Sequence, residues 1–156
     1  MPINPEYVGR TYPVSAPYEV SRVKIADFAD AIGDPSPVYR DAEAARAAGY
    51  PDVIAPPTFA IVISMASTGG AVGDPGLGIN YAMVVHGEQQ FQYSRPLRPG
   101  DVVTAQTTIS GIRSVGRLSM MTTSTEIRTT AGEHLCTAVS TLVERGAESA
   151  GEGAAS

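Results

Sequence analysis

The first half of the chain alternates helical patterns with loops rich in proline and glycine. After Ser21, apolar residues recur at the i, i+3, i+4 and i+7 spacing of one helix face until Gly33 ends the pattern. A loop with two prolines follows, and Asp41 is placed to cap a short alanine-rich helix that stops at Gly49. The pattern therefore predicts two short helices joined by a stiff loop.

Residues 59–66 predict a different kind of helix. They are apolar on every side, and prolines precede them where a first helical turn accepts proline. An all-round apolar helix is a buried one, so the pattern predicts a central helix that a sheet must cover. The glycines within residues 69–76 predict a flexible connection after this helix.

The second half of the chain has the two-residue period of β-strands. Residues 81–93 alternate, which predicts a strand with two distinct faces. One face would carry Tyr81, Met83, Val85, Phe91 and Tyr93, and the other His86, Glu88, Gln90 and Gln92. Segments 102–112, 118–129 and 135–143 are joined by short turns and predict an antiparallel meander. Helices followed by a sheet indicate an α+β architecture.

Length and composition bound the domain organisation. With 156 residues, 43% of them apolar, the chain has room for one domain with a core, which we place at residues 1–145. Residues 146–156 are dominated by Gly, Ala, Ser and Glu and offer almost nothing to bury. This composition predicts a disordered tail.

Charge and cysteine content argue against several classes of function. A net charge of −5 disfavours nucleic-acid and anionic-membrane partners, because polyanions do not attract an acidic surface. No apolar run approaches the roughly 18 residues of a membrane helix, and no signal pattern is visible at the N-terminus. A single cysteine, Cys136, and two histidines argue against a disulfide and against a metal site. We therefore expect a soluble cytoplasmic protein without a metal.

The loop at residues 33–41 carries the first candidate chemistry. It reads Gly-Asp-Pro-Ser-Pro-Val-Tyr-Arg-Asp and resembles the signature Asp-x-Asn-Pro-x-His of the MaoC-like (R)-specific enoyl hydratases and 3-hydroxyacyl dehydratases. In that family the aspartate and the histidine act on one water, because hydration of an enoyl thioester needs a base and a proton donor. Asp34 and Pro37 match the signature, whereas Tyr39 stands at the histidine position. A tyrosine, with a pKa of about 10, is a poor base at neutral pH, unlike a histidine with a pKa of about 6.5.

The start of the predicted central helix departs from the same family. The family has an Ile-Ala-His-Gly-Met-like segment there, whose glycine N–H binds the thioester oxygen. Residues 54–58 read Ile-Ala-Pro-Pro-Thr, so Pro57 stands at the glycine position and has no N–H. Losing one such donor typically costs about 3 kcal/mol of transition-state stabilisation. The N–H of Thr58 is the alternative donor.

Three further motifs narrow the resemblance. They are Ala-Pro-Pro-Thr-Phe at 55–59, Val-His-Gly-Glu-Gln-Gln-Phe at 85–91 and Arg-Pro-Leu-Arg-Pro-Gly-Asp at 95–101. Together they resemble the N-terminal MaoC-like dehydratases, which include non-catalytic subunits of heterodimeric (3R)-hydroxyacyl-ACP dehydratases. The resemblance covers nearly all of residues 1–145 and implies the hot-dog fold, a curved antiparallel sheet wrapped around a long central helix.

The resemblance implies a subunit with a degenerate site that helps to bind an acyl chain. Asp34 and Tyr39 occupy the catalytic motif positions. The residues expected to contact the substrate are Ala55, Pro57, Thr58, Phe59, Ile63 and His86. The expected ligand is an acyl-ACP or acyl-CoA thioester, with no cofactor. The expected assembly is a homodimer, or a heterodimer with a second hot-dog subunit that carries an intact Asp/His pair.

Two other functions stay open at this point. The chain could be a competent homodimeric hydratase in which Asp34 works with another base such as His86, or a non-enzymatic module that binds acyl thioesters. Each site residue also has a structural interpretation. Asp34 could cap a turn, Tyr39 could be a packing aromatic, and His86 could be a hydrogen-bonded structural or interface residue.

Overall fold

The computed structural model of the protein describes residues 3–146, so most of the predicted tail lies outside the described residues. The helices are α1 (Arg22–Ala31), α2 (Ala42–Ala47) and α3 (Ala60–Val72). The strands are β1 (Tyr18–Glu19), β2 (Val84–Tyr93), β3 (Val102–Val115), β4 (Leu118–Thr129) and β5 (His134–Arg145). Short 3₁₀ turns cover Pro5–Tyr7, Pro37–Tyr39, Pro75–Leu77 and Tyr81–Met83.

The first two helices confirm the capping signals of the sequence. The Ser21 hydroxyl accepts a hydrogen bond from the Lys24 N–H at the start of α1, and Gly33 follows this helix with a φ of 71°. The Asp41 carboxylate accepts from two N–H groups in the first turn of α2. These caps satisfy backbone donors that a helix start otherwise leaves unpaired.

The five strands form one antiparallel sheet in the order β1-β3-β4-β5-β2. The meander of β3, β4 and β5 is confirmed, and β2 joins the far edge of β5. The N-terminal segment runs along the edge of β3, where the Gly9 N–H donates to the Ile109 carbonyl and the Ser15 N–H to the Ala105 carbonyl. Within residues 3–146, the outer edge of β2 has no strand beside it.

Helix α3 lies against β3, β4 and β5 and is longer than predicted. The flexible connection predicted for 69–76 is wrong in its first part, because residues 69–72 continue the helix. The prediction of burial on all sides is also wrong, since Met65 is 67% exposed while Ile63, Ser67 and Ala71 are buried. A sheet covers only one face of the helix, and apolar composition alone does not tell which face is covered.

Strand β2 differs from its predicted pattern in two ways. Residues 81–83 form a 3₁₀ turn, and the strand begins at Val84. The register shifts between His86 and Glu88, so Gly87 is the extra residue of a β-bulge. With this shift in the register, His86 pairs with Leu142 on one side of the bulge, and Phe91 pairs with Ala138 on the other side. Leu142 and Ala138 lie on one face of β5, so His86 lies on the same face as Phe91, and its predicted placement with Glu88 and Gln90 is wrong.

The core consists of two apolar clusters along α3. The first surrounds the amino-terminal half of the helix and includes Phe59 and Ile63 together with Ile127 of β4. The second includes Ala71 near the carboxyl end of the helix and Met121 of β4. The central helix is therefore held at both ends, and its middle faces a less apolar part of the sheet.

Candidate functional site

The loop after α1 brings two of the predicted site residues together. Gly33 ends the helix, and the Asp34 N–H donates to the Ala29 carbonyl at 2.9 Å. One carboxylate oxygen of Asp34 accepts from the Ser36 N–H at 3.0 Å, which closes a tight turn. The 3₁₀ turn over Pro37–Tyr39 then directs Tyr39 into the first core cluster, where it is 8% exposed.

The environment of Tyr39 keeps its hydroxyl protonated. Burial raises the pKa of Tyr39, and the negative charge of Asp34 and the hydrogen bond to its carboxylate raise that pKa further. A phenol with a raised pKa stays protonated at neutral pH and cannot take a proton from water. The arrangement can hold a water or a polar substrate atom, but it provides no base at the position where the resemblance implies a histidine.

A shallow cavity of about 230 Å³ opens beside Asp34 on the side away from the core. Its lining includes Asp30, Asp34 and Arg40. The Arg40 guanidinium pairs with the Asp30 carboxylate and also donates to the Ser36 carbonyl at 3.0 Å. Through these two contacts, Arg40 holds the outer side of the loop in place. Its positive charge faces the Asp30 carboxylate.

The start of α3 is the second place where the sequence departs from the family that it resembles. Pro57 and Thr58 are exposed there, and Pro57 has no N–H. The Tyr93 hydroxyl donates to the Pro57 carbonyl at 2.6 Å, and the Phe59 N–H donates to the Pro56 carbonyl at 2.9 Å. Within residues 3–146 the Thr58 N–H has no acceptor, so it is a free backbone donor at this helix start.

A groove of about 320 Å³ runs between α3 and the inner face of the sheet. Helix α3 contributes Ile61, Ser64, Met65, Thr68, Gly69 and Val72, and the strands contribute His86, Gln89, Thr123, Thr125, Ala138, Ser140 and Leu142. The His86 ring Nε2 lies 3.0 Å from the Glu88 carbonyl, so one ring nitrogen is engaged by the bulge itself. No Lys, Arg, Asp or Glu is among these lining residues, so the groove suits an uncharged ligand.

The structure separates the predicted site residues into four places. Asp34 and Tyr39 meet at the loop, and Pro57 and Thr58 lie at the start of α3. Ala55, Phe59 and Ile63 are packed in the first core cluster and do not line the groove. His86 lines the groove, whereas Asp34 lines the cavity on the loop, so the described chain does not join this pair in one site.

The hydroxyl residues of the groove were missed by the sequence reasoning. Alternate positions of β4 that face the helix read Met121, Thr123, Thr125 and Ile127. Two threonines interrupt an otherwise apolar series, and this interruption is the signal that could have found them. A second signal is Gly87, because a glycine inside a strand often marks a bulge.

Among residues 3–146, no three His, Cys, Asp or Glu side chains are grouped so that they could hold a metal ion. In the same part of the chain, no helix has both the length and the apolar character needed to cross a membrane.

Solved structures define the class of protein. A MaoC-like dehydratase superposes with a TM-score of 0.82 and 30% sequence identity, over 90% of this chain and 43% of that chain. This chain therefore spans less than half the length of that structure. The truncated HadBC (3R-hydroxyacyl-ACP dehydratase) complex from Mycobacterium tuberculosis has the same fold, with a TM-score of 0.74 and 24% identity over 88% of this chain and 96% of that chain. The protein thus has the hot-dog fold of the MaoC-like dehydratases.

The family follows from the sequence comparisons. A family model described as the FAS1-like dehydratase domain region matches residues 6–138. A UPF0336 protein from Thermobifida fusca is 57% identical over 146 residues, which cover 94% of this chain and 96% of that protein. The chain belongs to this family of FAS1-like dehydratase domains.

Proposed function

We propose that this chain is a subunit of a (3R)-3-hydroxyacyl-thioester dehydratase or hydratase, and that it binds the acyl chain while its own site lacks a competent base. The thioester is carried by CoA or by an acyl carrier protein. A second hot-dog subunit with an intact Asp/His pair supplies catalysis. Membership of the dehydratase family supports the reaction class, and the departures at the loop and at the helix start support the division of labour.

The pairing of Tyr39 with Asp34 carries this proposal. Burial and the neighbouring carboxylate raise the pKa of Tyr39, so the phenol keeps its proton where the reaction needs a base. General-base catalysis typically contributes about 10²- to 10⁴-fold in rate. Pro57 also removes one backbone donor, which typically costs a further 10²- to 10³-fold when no other donor, such as the free Thr58 N–H, takes its place. The two effects together predict very weak hydration by the chain alone.

The free edge of β2 supports a side-by-side partner. This strand is ten residues long, and within residues 3–146 its outer edge is unpaired. An exposed edge of this length is a template for pairing with another strand. A second hot-dog subunit that extends the sheet through β2 would cover it and would place its own loop next to the groove side of this chain.

A competing function has one observation in its favour. The bulge directs His86 toward the groove, which is where a competent homodimeric hydratase would need an additional base. Against it, the Glu88 carbonyl lies 3.0 Å from one ring nitrogen of His86, and Asp34 lines a different cavity. This function therefore requires the partner copy to bring Asp34 and His86 together.

Hydration assays with a crotonyl thioester test both functions. We expect the purified chain to show almost no hydration, and we expect robust hydration after co-expression with a hot-dog subunit that carries an intact Asp-x-Asn-Pro-x-His loop. That activity should disappear when the histidine of the added subunit is changed. Robust hydration by the isolated chain that survives Tyr39→Phe but is lost in Asp34→Asn would overturn the proposal. Loss of the same activity in His86→Gln would identify the homodimeric hydratase, and thioester binding without activity in any combination would identify a binding module.

A further inference from the structure

The inner face of the sheet carries one row in which all three paired residues are polar. Directly paired residues of neighbouring strands lie on the same face, so the register of β2, β5 and β4 defines these rows. From the amino-terminal end of α3 onward they are Tyr93–Cys136–Ile127, Phe91–Ala138–Thr125, Gln89–Ser140–Thr123 and His86–Leu142–Met121. The row of Gln89, Ser140 and Thr123 belongs to neither apolar cluster and faces the groove.

Two side chains of this row, Gln89 and Thr123, have a polar oxygen without a hydrogen-bond partner among residues 3–146. Thr123 is 3% exposed, and its hydroxyl makes no hydrogen bond within residues 3–146, although this oxygen still reaches the groove and is not fully enclosed. The side-chain carbonyl oxygen of Gln89 is buried and also has no partner among residues 3–146, while its amide nitrogen donates to the Gln90 carbonyl at 3.3 Å. The Ser140 hydroxyl lies 3.5 Å from His86 Nε2, at the limit of a hydrogen bond. Buried polar groups without partners are costly, so they call for an additional partner.

The hydroxyls of the adjacent row have partners of their own. The Thr107 hydroxyl is 3.0 Å from that of Ser67 on α3 and 2.8 Å from that of Thr125, so the three hydroxyls form a buried hydrogen-bonded line. Thr125 belongs to the adjacent row of the same sheet face and is engaged by Thr107. The row of Gln89, Ser140 and Thr123 has no contact of this kind between its side chains and α3 among the described residues.

This row lies well inside the groove. Gln89 is four residues from Tyr93, which is roughly 13 Å along a strand. Tyr93 contacts the Pro57 carbonyl at the start of α3, where the thioester would lie under the proposed function. An acyl chain that runs from there past Ile61 into the groove would meet the row along its length, far from the reacting carbons.

We propose that the groove selects an acyl chain with a hydroxyl group in its interior over an unsubstituted alkyl chain. This inference rests on the proposed function, namely that the chain binds acyl thioesters. A hydroxyl can donate to the Gln89 carbonyl oxygen and accept from the Thr123 or Ser140 hydroxyl, whereas a methylene group can do neither. The absence of charged side chains among the described lining residues fits a neutral substituent rather than a carboxylate or an amine.

Calorimetric binding to the full-length chain tests this inference. The probes are a dodecanoyl pantetheine thioester and matched thioesters with a single hydroxyl at the middle or at the end of the same chain. We expect the better hydroxylated probe to bind about three- to tenfold tighter than the plain one. Thr123→Val and Ser140→Ala should each reduce this preference toward unity. Thr122→Val is the matched control, because Thr122 lies on the opposite face of β4 and bonds the Thr141 hydroxyl at 3.1 Å.

The outcomes separate this inference from the proposed function. Equal binding of all probes, or a preference for the plain chain, would overturn the hydroxyl selection and leave thioester binding intact. A hydroxyl preference that persists in both Thr123→Val and Ser140→Ala would overturn the assignment to this row. If no probe binds, the proposed acyl-binding function fails together with the inference.

Discussion

His86 and Gln89 are three positions apart on β2, yet both side chains face the groove. In a regular strand, residues three apart point to opposite faces. Here the bulge at Gly87 removes one residue from the alternation, so His86 pairs with Leu142 and Gln89 with Ser140 on the same inner face. Which side chains β2 contributes to the groove therefore depends on a single extra residue in this edge strand.

We expect Gly87→Ala to destabilise the protein by about 1–3 kcal/mol, because overpacking costs this much in ordered structure. A Cβ at this position would lie 2.9 Å from Val143 Cγ2 and 3.3 Å from the Thr141 carbonyl oxygen. The measurement is the free energy of unfolding from urea titration. Gly111→Ala is the control, since its Cβ, beside the bulge of β3, would meet nothing closer than Thr122 Cβ at 4.0 Å. Equal losses in the two variants would contradict this explanation of the bulge.

Tyr39→His should raise hydration of a crotonyl thioester by the isolated chain, because it places an imidazole next to the Asp34 carboxylate. A restored base is worth about 10²-fold or more, while the missing donor at Pro57 should keep the rate about 10²- to 10³-fold below that of a competent hydratase. Tyr39→Phe is the matched control and should not raise the rate. The measurement is the initial rate at neutral pH, and no gain in Tyr39→His would show that the loop is not held in a catalytic geometry.

Asp101→Asn should destabilise the protein by about 2–3 kcal/mol, as expected for breaking a mostly buried ion pair. Asp101 is 8% exposed and accepts two hydrogen bonds from the Arg95 guanidinium, at 2.9 and 2.8 Å, and one from the Arg98 N–H at 2.9 Å. Glu133→Gln is the control. Glu133 pairs with the same Arg95 but its side chain is 53% exposed, so its loss should matter much less.

The same pair should control stability in acid. Burial raises the pKa of Asp101, but the hydrogen bonds from Arg95 and from the Arg98 N–H outweigh it and hold the pKa below its usual range. Because the pKa of Asp101 is lowered, its carboxylate stabilises the folded state at pH values above the unfolded pKa of about 4. This stabilisation is lost as the pH falls below that value. Unfolding free energies should therefore fall less steeply below pH of about 4 in Asp101→Asn than in the parent chain. Parallel acid profiles would contradict the assignment.

Tyr12→Phe should reveal a pH dependence at the alkaline end. The Tyr12 hydroxyl donates to Asp74 at 3.2 Å, and burial, followed by the charge of Asp74, raises the pKa of Tyr12 to about 12. Because the folded state holds this proton more tightly, its stabilisation is complete below the unfolded pKa of about 10 and is lost as the pH rises toward 12. In urea titrations at neutral pH, the free energy of unfolding of the parent chain should exceed that of Tyr12→Phe by about 1 kcal/mol. That advantage should shrink across this alkaline window, and a constant difference would refute the assignment.

Local chemistry made much of the fold predictable from the sequence. Ser21 and Asp41 cap their helices as predicted, because a side-chain oxygen reaches N–H groups only two or three residues away. The meander of β3, β4 and β5 followed from short turns between alternating segments, for the same local reason. The loop signature at Asp34 and Tyr39 was also visible, since its members are close in the chain, and the charge of Asp34 acts on Tyr39 in the folded protein.

The sequence by itself thus determined the caps, the meander, the α+β class and the identity of the residue at the base position. Only the tertiary structure decided which face of α3 is covered, where β2 bulges, and which polar side chains share the groove. Thr123 and Ser140 are far apart in the chain and meet through strand register, and Gln89 joins them only because Gly87 shifts that register by one residue. Register is a property of paired strands, so no single segment could specify it.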